Sequence, residues 1–67
     1  CEKDIAAALM FYTAAADKGV VQAMLRLADI YKNGIETEDA DGNRRILVEP
    51  NEERAARYLF TAGVGRD

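Results

Sequence analysis

Residues 8–34 read ALMFYTAAADKGVVQAMLRLADIYKNG, and two periodic apolar segments, each closed by a glycine, account for nearly all of this stretch. In the first, Ile5, Ala8, Leu9, Tyr12 and Ala15 or Ala16 recur at the i, i+3, i+4, i+7 spacing of one helical face, which predicts a helix over 4–18. Its alanines favour the helix intrinsically, and Gly19 stands where a left-handed residue ends it. In the second, Ala23, Leu27, Ile30 and Tyr31 share one side, which predicts a helix over 21–33 with Gly34 as its stop. About three residues separate the two helices, enough only for an antiparallel helical hairpin. Both glycines are expected at positive φ.

Downstream, IETEDADGNRRILVEP (35–50) has no helical period, carries the Asp41-Gly42 turn signal and ends on Pro50. It reads as a long loop, the most mobile part of the chain, with order confined to Ile46, Leu47 and Val48. Those three form either a short strand in a small hairpin or an apolar flap over the helices. After Pro50, Asn51 suits an N-cap, and Glu52 and Glu53 suit the positive end of a helix dipole. Ala55, Tyr58, Leu59 and Ala62 make the apolar face of a third helix over 51–62. Glu53 and Arg57 are spaced for an i, i+4 pair, and Gly63 with Gly65 ends the helix.

The first and third helices repeat one phrase: Ala8-x-x-Phe11-Tyr12-x-x-Ala15-Ala16, then Ala55-x-x-Tyr58-Leu59-x-x-Ala62-Gly63, an offset of 55 − 8 = 47 residues. Periods of this order mark stacked supersecondary units. The joined run Ala8, Phe11-Tyr12, Ala15-Ala16, Gly19, Ala23, Leu27-Ala28, Tyr31, Asn33-Gly34 resembles the Sel-1-like repeat, a relative of the tetratricopeptide repeat. The resemblance implies an all-α fold of antiparallel helix pairs, about one and a half repeats of an α-solenoid in three helices over residues 1–67. It also implies that small residues let helices approach while tyrosines and Leu27 fill the gaps. Three positions depart from the family pattern. Ala28 stands where glycine is usual. The stretch before Asn51 exceeds the family's connector by about eleven residues, which takes the offset down to roughly 36 when removed. Gly63 replaces the second alanine of the last pair, so the third helix ends early. The paired cysteines of the secreted branch are absent.

Composition narrows the function. Twelve acidic residues against nine basic ones give a net charge of −3, with no basic block to follow a nucleic-acid backbone. No apolar run approaches the ~20 residues of a membrane span. Cys1 is the single cysteine, so no internal disulfide stabilises a chain whose 67 residues support only a small core. Beginning on cysteine, the sequence reads as a segment of something longer, with a lipid-modified N-terminus as the sharper alternative. Histidine, serine and tryptophan are absent, so no Ser-His or Cys-His constellation can be assembled, and an enzyme is not expected. No phosphate-cradling glycine motif occurs, and no cofactor is implied. Asp39-Ala40-Asp41-Gly42-Asn43 resembles the start of a calcium loop. Counted from Asp39, however, Arg44 falls where glycine is needed and Pro50 where the bidentate glutamate is needed; counted from Thr37, Val48 takes that last place. No metal is expected there, and calcium should leave the loop unchanged.

Surface residues of the second helix remain. Gln22, Arg26, Asp29 and Asn33, at i, i+4, i+7 and i+11, form one polar stripe. The resemblance places this helix on the concave side of a repeat array, where it would hydrogen-bond a partner peptide or loop. The expected function is thus a protein–protein interaction scaffold or adaptor, with a structural spacer or cap as the alternative. Too few repeats are present to close a core. Leu9, Phe11, Leu59 and Phe60 are therefore expected to stay partly exposed and to drive self-association, or packing on adjoining repeats, through the ends of the helical stack.

Overall fold

The computed structural model describes residues 2–64, with side chains from residue 4 onward; Cys1 and Gly65 lie outside them. Three helices and one hairpin follow in order: α1 (Glu2–Asp17), α2 (Val21–Asn33), β1 (Ile35–Glu38), β2 (Arg44–Val48) and α3 (Glu52–Thr61). The all-α expectation is therefore corrected. The chain mixes helices with a two-stranded antiparallel sheet, and an α-solenoid repeat does not describe it.

The strands arise where the sequence suggested a mobile loop. Asp39 organises the turn: its Oδ1 accepts from the backbone N–H of Asp41 and of Asn43, each at 2.9 Å. Gly42 N–H donates to Asp39 O at 3.0 Å with φ +84°, and Asp39 N–H to Asn43 O at 2.9 Å. A type I turn followed by a left-handed glycine is a standard three-residue hairpin connection. The residues that resembled a calcium loop thus direct an Asp carboxylate inward, onto turn amides. Glu36 pairs with Ile46, Thr37 with Arg45 and Glu38 with Arg44; Ile35 pairs with Val48, which leaves Leu47 as the extra residue of a bulge. Both flap and strand readings of 46–48 resolve to strand, and order extends over the whole hairpin rather than those three residues.

At the hairpin's neck the Ile35–Val48 pairing brings the end of α2 beside the start of α3. Asn51 N–H donates to Tyr31 O at 2.6 Å across this neck. Asn51 also caps α3, its Oδ1 accepting from Arg54 N–H at 2.9 Å. The insertion therefore leaves and re-enters the helical layer at nearly the same point, and α3 packs on α2 as if the connector were short.

Helix ends follow the glycines. Gly19 has φ +90°, with Gly19 N–H bonded to Ala16 O at 2.9 Å and Val20 N–H to Ala15 O at 3.1 Å. The same pair of bonds closes α3: Gly63 (φ +97°) to Phe60 O and Val64 to Leu59 O, both at 3.0 Å. Gly63 takes the role of Gly19 rather than that of Ala16, so α3 stops about one turn before the repeat alignment would end it. Glu53 and Arg57 do not pair.

The core is small and centred on α2. Leu27 is fully buried, with Ala16, Ala23 and Met24 around it and Leu9, Tyr12, Ala15, Tyr31, Tyr58 and Ala62 partly buried against it. α1 and α3 each pack on α2 and scarcely touch each other. The result is elongated, 48 × 20 × 12 Å with a radius of gyration of 13.2 Å, against about 11 Å for a globular chain of this length. Ala8, placed on the packing face by its spacing, is exposed. Leu9 and Leu59 are half-buried, and Phe11 and Phe60 are 70% and 60% exposed.

Candidate functional site

Between α1 and α2 lies an open groove of about 810 Å³. Its α2 wall carries Gln22, Arg26 and Asp29, three of the four stripe residues, because positions four and three apart stack on one helical face. Its apolar wall comes from Phe11, Tyr12 and Ala15 of α1, with Val20 and Leu25 alongside. The tight Gly19 connector sets α1 against α2, and Val20 next to it lines the groove.

The Phe11-Tyr12 pair divides its work. Tyr12 turns toward the core, whereas Phe11 meets it edge-on, centroids 5.8 Å apart at 65°, and keeps most of its ring in solvent. Leu25, 39% exposed, continues the apolar surface on α2. The stripe reading included neither Phe11 nor Leu25. The adjacent aromatics were the available signal, since two neighbouring residues on a helix cannot both face one partner helix.

Asn33 does not line the groove. Its Nδ2 donates to Asp29 Oδ1 at 3.1 Å and to Asp29 O at 3.3 Å, so it braces the carboxylate from one turn further on. Asp29 is thereby held to Asn33 and forms no ion pair with Arg26. Among the described residues Arg26 has neither an ion-pair nor a hydrogen-bond partner. The groove thus presents a carboxamide, a guanidinium in no ion pair and a braced carboxylate beside an exposed aromatic ring. Among the described residues no three His, Cys, Asp or Glu side chains converge as metal ligands, and no helix is long and apolar enough to cross a membrane.

Comparison of the whole chain with family models, with curated proteins and with solved structures gives no match, so the likeness to Sel-1-like repeats stands on the residue pattern alone.

Proposed function

We propose that this chain is a protein-interaction module that seats an extended segment of a partner protein in the α1–α2 groove. The observation that carries the reading is the convergence of Gln22, Arg26 and Asp29 with the exposed Phe11 ring on one concave surface. The partner segment carries an apolar side chain for Phe11 and Leu25 and, next to it, an acidic side chain for Arg26. The chemistry of Arg26 argues for the acid: its guanidinium donors have no hydrogen-bond or ion-pair partner among the described residues, whereas the Asp29 carboxylate keeps its charge but already accepts from Asn33. Aromatic and arginine side chains dominate binding energy at protein interfaces, whereas polar residues around them chiefly fix register. The Sel-1-like spacing supports a binding role in the same direction, as does a sequence without histidine or serine for chemistry.

The test is a displayed library of extended peptides panned on the whole chain, followed by titration of the selected peptides. Phe11→Ala and Arg26→Ala should each weaken binding by about tenfold or more, the range of interface anchors. Asn33→Ala should act more mildly, through Asp29. Backbone amide shifts should concentrate on residues 11–15 and 20–29. Absence of any saturable peptide contact at these residues would leave the spacer reading, which the exposed Met10 and Phe60 favour as surfaces for neighbouring structure.

A further inference from the structure

A second concavity, of about 350 Å³, lies on α3 and is lined by Arg54, Arg57, Tyr58 and Thr61. Arg54 and Arg57 stand three residues apart, on one face of the helix. Arg54 is held in place from outside its own helix: its guanidinium carbon lies 5.1 Å from the centroid of the Tyr31 ring, and Nη1 donates to Tyr31 Oη at 3.4 Å. Tyr31 in turn stacks on Tyr58, centroids 6.0 Å apart and planes within 9°. Arg54 is thus mounted on an aromatic pair shared by α2 and α3. The bond to the Tyr31 hydroxyl, followed by that group's electrostatic pull, raises its pKa further above an already high value.

Arg57 has no side-chain partner among the described residues, and Glu53, one turn away and suitably spaced, does not reach it. No carboxylate lines the pocket. Two guanidiniums of fixed charge therefore line one pocket, neither of them in an ion pair among the described residues, in a chain whose net charge is −3. Thr61 Oγ1 donates its proton to Arg57 O at 2.9 Å, so that hydroxyl turns no donor outward, and the two guanidiniums supply the pocket's positive charge.

We propose that this pocket binds a phosphate dianion, supplied either as a phosphomonoester on a partner's side chain or as free inorganic phosphate. Arg54 commits one nitrogen to Tyr31 and Arg57 commits none, so the pocket offers two positive charges with several N–H donors. A carboxylate would meet them with one charge and two oxygens. A phosphate group offers three oxygens and close to two charges at neutral pH. The site is independent of the α1–α2 groove and stands whether or not that groove takes a peptide.

The experiment is a calorimetric and NMR titration of the full chain with three probes: inorganic phosphate, a short phosphoserine peptide and its unphosphorylated twin. Saturable binding of phosphate or of the phosphopeptide, with shifts at the Arg54 and Arg57 guanidinium signals, is expected. Tighter binding of the phosphopeptide assigns the site to a modified partner, and equal binding of inorganic phosphate assigns it to the free ion; each supports the pocket. Arg57→Ala should weaken binding at least tenfold, Arg57→Lys less, and Arg26→Ala not at all. Affinity for the phosphopeptide should rise with pH through about 6, where its phosphomonoester gains its second charge, and fall with added salt. Arg57→Ala leaves the Tyr31 stack intact, so its circular dichroism should match the parent's. No saturable binding at millimolar probe, equal affinity of the unphosphorylated twin, or an unchanged affinity in Arg57→Ala would each overturn the proposal.

Discussion

Gly19 and Gly34 perform the same backbone task in different surroundings. Both follow a periodic helix and both have positive φ, +90° and +73°. Around Gly19 there is open space: a Cβ placed there would meet nothing within 4 Å. At Gly34 the same atom would stand 2.7 Å from the Val48 carbonyl oxygen and 2.8 Å from Pro50 Cδ. The first glycine is required by torsion alone. The second is required by torsion and by the passage of the hairpin's neck across it. The α1–α2 end of the molecule is thus a helical hairpin closed by local geometry, and the α2–α3 end is closed by contacts between residues far apart in sequence.

That difference can be tested by four substitutions, read as urea unfolding followed by circular dichroism. Gly34→Ala should be the most damaging, because left-handed strain adds to a backbone contact that no rotamer change relieves; the sum is about 3 kcal/mol. Since a core of this size supplies only roughly 3 to 5 kcal/mol, much of the variant should be unfolded at room temperature. A loss no larger than that of Gly19→Ala would break the comparison, for it would mean the neck yields freely. Gly19→Ala itself should cost about 1 kcal/mol, the torsional part alone, and leave the phosphate pocket on α3 unaltered. Asn51→Ala should also cost about 1 kcal/mol through the lost cap of α3, with amide protection falling first in α3 and at the neck. If protection in α1 fell equally, the two ends would be one cooperative unit.

The smallest effect belongs to the hairpin's surface. Arg44 Nε and Glu36 Oε1 lie 3.1 Å apart, but both side chains are largely in water. Glu36→Gln should change stability by under about 0.5 kcal/mol, and less at high salt. A larger change would show that cross-strand charge, rather than the Asp39 turn and the neck, holds the strands together.

The helices and their stops were legible in the sequence because their causes are local. A 3.6-residue period, alanine-rich faces, a glycine after Lys18 and after Asn33, and Asn51 before Glu52 all act within one or two turns. The predicted span 21–33 coincides with α2, and both glycines take the expected sign of φ. The polar stripe was legible in the same way, as helical spacing, for Gln22, Arg26 and Asp29.

The strands, the groove and the aromatic mount of Arg54 required the tertiary structure. Ile35 and Val48 pair although they are 48 − 35 = 13 residues apart, and the apolar run Ile46–Val48 is as compatible with a flap as with a strand until the neck closes on Gly34. Asp39 could have faced an ion or a turn, and its own downstream amides decided that. Asn33 shares the stripe's spacing yet serves Asp29, because a helical period assigns a face and leaves the choice of neighbour on that face open. Tyr31 and Arg54 are 23 residues apart, joined only once α3 returns onto α2. Local propensity acts over a few residues of chain, whereas a pocket is made by whichever side chains the packed helices bring within a few ångströms, and that selection happens only on folding.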